Sequence, residues 1–322
     1  MSTLIKIFKK KGGFKLLKRY FKSGALFTAI CQFILLGRSR TALEILELSA
    51  SLKTKKKLEK KYFKVLKNFD KNYVEKEHKS SNIVWTCWFQ GLENAPEIVK
   101  ICHKSLENNL KDKKLVVITS ENMDQYVKFP DYIFNKWKEG KISHTFLTDL
   151  LRLELLINYG GMWIDSTVLC TCSSSKIPSF YFDSDLFLYQ NLKPGRNGNA
   201  TYISSWLISA KTNNKLLMAT RELCYEYWKT HDTLIDYFLI HQFMSIVFDY
   251  YEEDWKKIVP CNNATPHALL LRLFDNYDDN MWNYLINSSP FHKLSYKINN
   301  VDLEKENTYY KLIIQCFMQQ HN

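Results

Sequence analysis

The first 40 residues contain no Asp or Glu, against ten Lys and Arg. The eight cysteines include no Cys-x-x-Cys pair and no zinc-ligand spacing, which excludes zinc-ribbon and thioredoxin-type chemistry. Cysteines without a pattern or a secretion signal suit a reducing cytosol, where they act as small buried hydrophobes. Gly and Pro are scarce, 10 and 7 in 322 residues, which excludes collagen-like and linker-rich chains. No Gly-rich phosphate loop of the usual nucleotide-binding types is present. The uncharged run from Gly24 to Leu36 is 13 residues long, short of the roughly 20 that a helix needs to cross a bilayer. What the chain does have is 46% hydrophobic, 15% aromatic and 24% charged residues, the composition of a soluble globular protein.

The net charge of +12 would suggest nucleic acid if it were spread over the molecule. It is not spread. Residues 1–79 carry 21 Lys and Arg against 6 acids, a net of +15, and the remainder carries −3. A basic arm, residues 1–80, thus precedes a slightly acidic body, residues 81–322. Before Gly12-Gly13, Lys6, Lys9 and Lys10 alternate with Leu4, Ile5, Ile7 and Phe8; beyond it Phe14, Leu17 and Phe21 follow helical spacing. The apolar run that follows is closed by Arg38 and Arg40 with no small-x-small cleavage site, unlike a signal peptide. A basic amphipathic segment joined to a short apolar one fits an interfacial anchor on an anionic membrane, each Lys or Arg contributing about 1 kcal/mol. The competing reading is a solvated helical subdomain packed on the body. No nucleic-acid module accompanies the charge, so no nucleic-acid partner is expected.

From residue 82 the chain alternates between strand-like and helix-like runs. Residues 83–88 and 115–119 are β-rich, Pro96 opens a helix to about Asn109, and residues 126–137 and 148–158 are helical. Gly160-Gly161 stops the last helix and Met162-Trp163-Ile164 restarts as a strand. This alternation predicts an α/β layer fold, mainly parallel, with helices on both faces of the sheet.

The chemistry is concentrated in residues 144–167. Asp149 and Arg152, three apart, share a face near the start of a helix. Thirteen residues after Arg152, Asp165 ends a short strand, and the carboxyl ends of strands are where open α/β sheets bind ligands. Arg152 could hold an anionic or hydroxyl-rich ligand, and the two carboxylates could hold hydroxyls or a divalent metal. Asp183-Ser184-Asp185 reads as a turn before the strand from Leu186, because nothing around it repeats this block.

The run Thr148-Asp149-x-x-Arg152-x-x-x-Leu156-x-x-x-Gly160-Gly161-x-x-x-Asp165 resembles the donor-site signature of retaining sugar transferases with the GT-A fold, a Rossmann-like α/β architecture. These include the glucosylating toxins, the yeast initiating mannosyltransferases and bacterial capsular polysaccharide synthesis transferases. The capsular group is the most similar: Trp88-Phe89-Gln90-Gly91 leads to Pro96-Glu97-Ile98-Val99-Lys100, and Gly160 to Val168 matches its Gly-Gly-x-Trp-x-Asp-x-Thr-Val. Asp236 to Ile240, Pro260 to Asn263 and Pro266-His267 add to the likeness, which covers about residues 82–275.

The resemblance implies a glycosyltransferase that moves a hexose from a nucleotide-diphospho sugar, UDP-linked by preference, to a lipid-linked oligosaccharide with retention of configuration. Its implied place is the inner face of the cell membrane. Asp149 and Arg152 match the residues that contact ribose and donor sugar. Either Trp85 or Trp88 matches the aromatic that stacks on the base. Gln90, Gly160, Gly161, Ser166 and Thr167 complete the nucleotide-sugar set. Asp165 matches the first Asp of the metal motif, whose second Asp is Thr167 here, so Mn²⁺ or Mg²⁺ would rest on Asp165, with His267 as a possible second ligand. His241 is a further pocket residue. The alternative is a membrane-associated sugar-nucleotide-binding or lectin-like scaffold without turnover.

Overall fold

The computed structural model describes residues 14–192 and 201–318. The basic and apolar residues before Phe14, with the Gly12-Gly13 break, lie outside the described residues. Three helices come first: α1 (Phe14–Ser23), α2 (Leu26–Leu36) and α3 (Arg40–Asn72). Gly24 and Gly37 make the two turns with φ of 74° and 73°, a backbone conformation that side chains with a Cβ resist. Ser39 caps α3, its hydroxyl accepting from the Ala42 N–H. The three helices share a small core of Tyr20, Ala25, Ala29, Leu46 and Ala50.

The second half of α3 belongs to the body. Leu58, Tyr62 and Leu66, four residues apart, join the main core, where Tyr62 meets Phe243 edge-to-face at 5.2 Å. Lys55 pairs with Asp249 at 2.6 Å, and Tyr251 donates to Asp70 at 2.9 Å. Where the charge distribution placed residues 1–80 in one arm, packing therefore divides that stretch within α3. Charge density changes near residue 80 because the outer face of α3 is lysine-rich, while its inner face is as apolar as the rest of the core.

The body comprises β1 (Ile83–Cys87), α4 (Glu97–Asn109), β2 (Lys114–Ile118), α5 (Asp131–Lys138), α6 (His144–Tyr159), β3 (Gly161–Ile164), β4 (Val168–Cys170), β5 (Leu186–Gln190), β6 (Ile203–Ala210), α7 (Lys215–Thr230), α8 (Leu239–Tyr250), α9 (Asp279–Ser288), β7 (Phe291–Lys293) and α10 (Tyr309–Met318), with shorter helical turns between. The five-stranded sheet has the order β2-β1-β3-β6-β5. β1 lies parallel to β2 and β3, β6 runs antiparallel to β3, and β5 antiparallel to β6, so four of the five strands share one direction. The expected mainly parallel α/β sheet is what the chain forms.

Both sheet faces are covered. Trp85, Trp163, Leu188 and Ile208 face the core formed with α3, α6, α7 and α8, while Val84, Met162, Ile164 and Leu207 face a second cluster on the other side. α6 is buried all round, as its run of leucines requires. Its one buried acid outside the site, Glu154, receives the Tyr225 hydroxyl at 2.5 Å and Arg221 at 3.3 Å. β4 and β7 form a separate antiparallel pair in which Val168 faces Lys293. That pairing carries Lys293 to the end of β3.

Candidate active site

α6 ends at Gly160 and returns directly as β3, so its N-terminal turns lie beside the carboxyl end of that strand. Ser143 caps the helix, its hydroxyl accepting from the Phe146 N–H. This geometry brings Asp149, Arg152 and Asp165 together, as the spacing predicts. Arg152 is fixed from three sides: to Asp149 Oδ1 at 3.2 Å, to the Ser205 carbonyl at 2.8 Å, and to Asp165 Oδ1 at 3.3 Å. It also bonds the Ser205 hydroxyl and lies 5.1 Å over the Trp163 ring. Asp165 Oδ1 accepts from the Trp163 indole at 3.0 Å, and its Oδ2 faces the Lys293 ammonium at 3.2 Å. Lys293 also donates to the Thr167 hydroxyl at 2.5 Å. The result is an alternating Asp149–Arg152–Asp165–Lys293 chain.

Access differs along that chain. The side chains of Asp149 and Arg152 are 10% and 6% exposed, while those of Asp165 and Lys293 are 26% and 20% exposed. Asp165 and Lys293 are therefore the more accessible charges of the cluster, and the buried pair stands behind them. Burial pushes the Asp149 carboxyl up to about 6, with Asp165 adding to the rise and Arg152 opposing it. Burial acts on Asp165 in the same sense, but Lys293 and Arg152, with the Trp163 hydrogen bond, outweigh it and hold the carboxyl below its ordinary value. His241, on α8, contacts the Ser205 hydroxyl at 3.2 Å through Nε2. Burial, helped by Arg152, lowers its pKa to about 4, so it is a neutral imidazole near pH 7.

The tryptophans resolve differently. Trp85 is 1% exposed, its indole donates to the Gly160 carbonyl at 2.9 Å, and Tyr126 and Tyr159 flank it. It is a core residue and offers no face to a base. Trp88 is half-buried beside Tyr296, just past the end of β1, and remains the aromatic candidate. Gln90, exposed in the turn after it, lies on the same edge of the sheet. Gly160 and Gly161, unlike the expected nucleotide-sugar contacts, sit at the amino end of β3, the opposite end from Asp165. A Cβ on Gly161 would lie 2.3 Å from the Ile83 carbonyl oxygen, and its φ is 92°. Gly161 therefore lets β3 approach β1, while Gly160 packs against the backbone of Ala210, Lys79 and Thr212. Ser166 and Thr167 form the turn after Asp165, closed by the Val168 N–H on the Asp165 carbonyl at 3.1 Å.

His267 lies beside a cleft of about 310 Å³ lined also by Asn191, Asn262 and Asn263. Its Nδ1 contacts the Asn263 carbonyl at 2.7 Å, and its ring meets Trp206 edge-on at 5.9 Å. These residues do not fit a divalent cation. Both oxygens of Asp165 are engaged by cationic groups, and the hydroxyl in the second ligand position accepts from a lysine. Among the described residues no three His, Cys, Asp or Glu gather as a metal site. Lys293 and Ser205 escaped the sequence reading. They sit 126 and 40 residues beyond Thr167 and Asp165, in strands that no motif or spacing ties to residues 144–167.

A fixed arginine behind a partly exposed aspartate–lysine pair thus lies at the carboxyl end of β3, the edge at which open α/β sheets bind ligands. The chain belongs to the capsular polysaccharide synthesis protein family, whose model matches residues 40–313. The expected family stands, and with it the glycosyltransferase class that the motifs imply. A solved structure named PaToxG Glycosyltransferase is similar over 81% of this chain and 97% of its own, with 13% identity and a TM-score of 0.38. No curated protein matches the chain.

Proposed function

We propose that the protein transfers a hexose from a nucleoside-diphosphate sugar, UDP-linked by preference, to a lipid-linked saccharide at the inner membrane face during surface polysaccharide synthesis. The observation that carries this reading is the Asp149–Arg152–Asp165–Lys293 chain at the carboxyl end of β3, in a chain of the capsular family. In the proposed reaction Asp165 accepts hydrogen bonds from donor-sugar hydroxyls and Trp88 stacks on the base. Asp149 positions Arg152, whose guanidinium, held by fixed partners, needs no rearrangement as charge develops on the leaving phosphate. The C1–O bond to phosphate breaks with its electron pair on oxygen. The acceptor hydroxyl attacks C1 from the same face, retaining configuration, and its proton passes to the departing diphosphate.

The hairpin α1–α2 supports the membrane placement. Phe21, Phe27, Ile34 and Leu35 stand 73%, 78%, 73% and 79% exposed, beside Lys18, Lys22 and Arg38. No helix among the described residues is long and apolar enough to cross a membrane, and an interfacial hairpin does not need to. The test is a screen of UDP- and GDP-hexoses for hydrolysis by the full chain and by Asp165→Ala. The wild type should release nucleotide from one donor and the folded variant should not. Equal release by both would refute the assignment of the site.

A further inference from the structure

A divalent cation at the pyrophosphate of a sugar nucleotide does one job that a protein cation can also do: it neutralises the oxygens on which charge accumulates. Lys293 is placed for that job. It projects from β7 to Thr167, the residue at the second-Asp position of the resembled motif, 2.5 Å from its hydroxyl and 3.2 Å from Asp165 Oδ2. An ammonium has three N–H bonds, and these two contacts leave one without a partner among the described residues. The side chain is 20% exposed, which leaves that third donor open to an incoming ligand. A metal ion bound to Asp165 would sit against both this ammonium and the Arg152 guanidinium, and like charges at such separations repel strongly where water is excluded.

We propose that Lys293 replaces the divalent cation, so that this site binds the diphosphate of a nucleoside diphosphate directly and transfers sugar without a metal. The inference rests on the nucleotide-sugar reading above and goes beyond it. Asp165 then has two duties: it accepts from the donor sugar and it holds the lysine at the phosphate. When the C1–O bond breaks, the electron pair goes to the β-phosphate oxygen, and Lys293 with Arg152 carries the charge. The acceptor's proton completes the balance on that diphosphate, with no further reagent.

The experiment is calorimetric titration of UDP and GDP into the full-length protein, in excess EDTA and again with Mn²⁺, for wild type, Lys293→Met and Lys293→Arg. Thermal unfolding of each variant confirms that it folds. Wild type should bind one of the two nucleotides in EDTA, with Kd changed less than about twofold by Mn²⁺. Lys293→Met should weaken binding about tenfold or more, the loss of one charge-assisted contact, and Lys293→Arg should stay within about threefold of wild type. Wild-type binding that requires Mn²⁺, or Lys293→Met binding as tightly as wild type, overturns the inference and leaves the transferase reading intact. Failure of both nucleotides to bind under either condition overturns the donor reading and this inference together.

Discussion

Replacing Asp149 with Asn should make the protein more stable near neutral pH and less active. The carboxyl is buried behind Arg152, and its pKa stands at about 6 against 3.8 for the free group. An acid whose folded pKa is raised binds its proton more tightly in the fold than in the unfolded chain. Its contribution is therefore intact below about pH 4 and is lost as pH rises through 6, a loss of about 3 kcal/mol by pH 7. Against a typical total of roughly 5–15 kcal/mol this is a large local cost. Asn keeps the shape and removes the charge, and Arg152 keeps Asp165 at 3.3 Å, so no cation is orphaned. Thermal unfolding of Asp149→Asn should occur about 4 °C higher than wild type near pH 7.5, for a chain of 322 residues, and the difference should close below pH 4. Donor hydrolysis should fall about tenfold or more, because Arg152 loses its buried anchor. A variant no more stable than wild type near pH 7.5, or a difference that ignores pH, would refute the account of this carboxyl.

Gly161→Ala places a Cβ 2.3 Å from the Ile83 carbonyl oxygen at a φ of 92°, so it should cost about 3 kcal/mol or more; a wild-type melting temperature would contradict this. Trp85→Phe loses the hydrogen bond to the Gly160 carbonyl and part of a fully buried ring, and should cost about 2 kcal/mol or more in denaturant unfolding while leaving UDP affinity unchanged. His241→Gln should leave the shape of the pH–rate profile between about 6 and 8 unaltered, because a histidine with a pKa of about 4 does not titrate there. Ile34→Glu combined with Leu35→Glu should release the protein from anionic liposomes in a sedimentation assay, with activity on a soluble acceptor analogue held within about twofold. Retained sedimentation would remove the hairpin from membrane binding.

Local signals in the sequence located the site's first half. Asp149, Arg152 and Asp165 lie within 17 residues, linked by one helix, one turn and one short strand, so helical spacing and the strand-tip rule suffice to bring them together. Three features needed tertiary structure. β1 is covered on both faces, so alternation along Val84-Trp85 does not tell which tryptophan points inward. The resemblance counts Gly160 and Gly161 in the nucleotide-sugar set, while their positive φ angles and close backbone neighbours, Ile83 for Gly161, show a role in sheet packing. Lys293 reaches the cluster through the β4–β7 pairing, which joins segments more than 120 residues apart and depends on no local pattern. The same limit applies to α3, whose lysines dominate the charge count while Leu58, Tyr62 and Leu66 bind it to the body.

Transfer itself tests the central claim most directly. The full chain is incubated with UDP- and GDP-hexoses and a lipid-linked saccharide acceptor, and the acceptor is followed by mass spectrometry. The account predicts that one donor adds a single hexose to the acceptor, and that Asp165→Ala abolishes the addition. Tight nucleotide binding with no sugar transferred to any acceptor would contradict it and identify a binding scaffold instead.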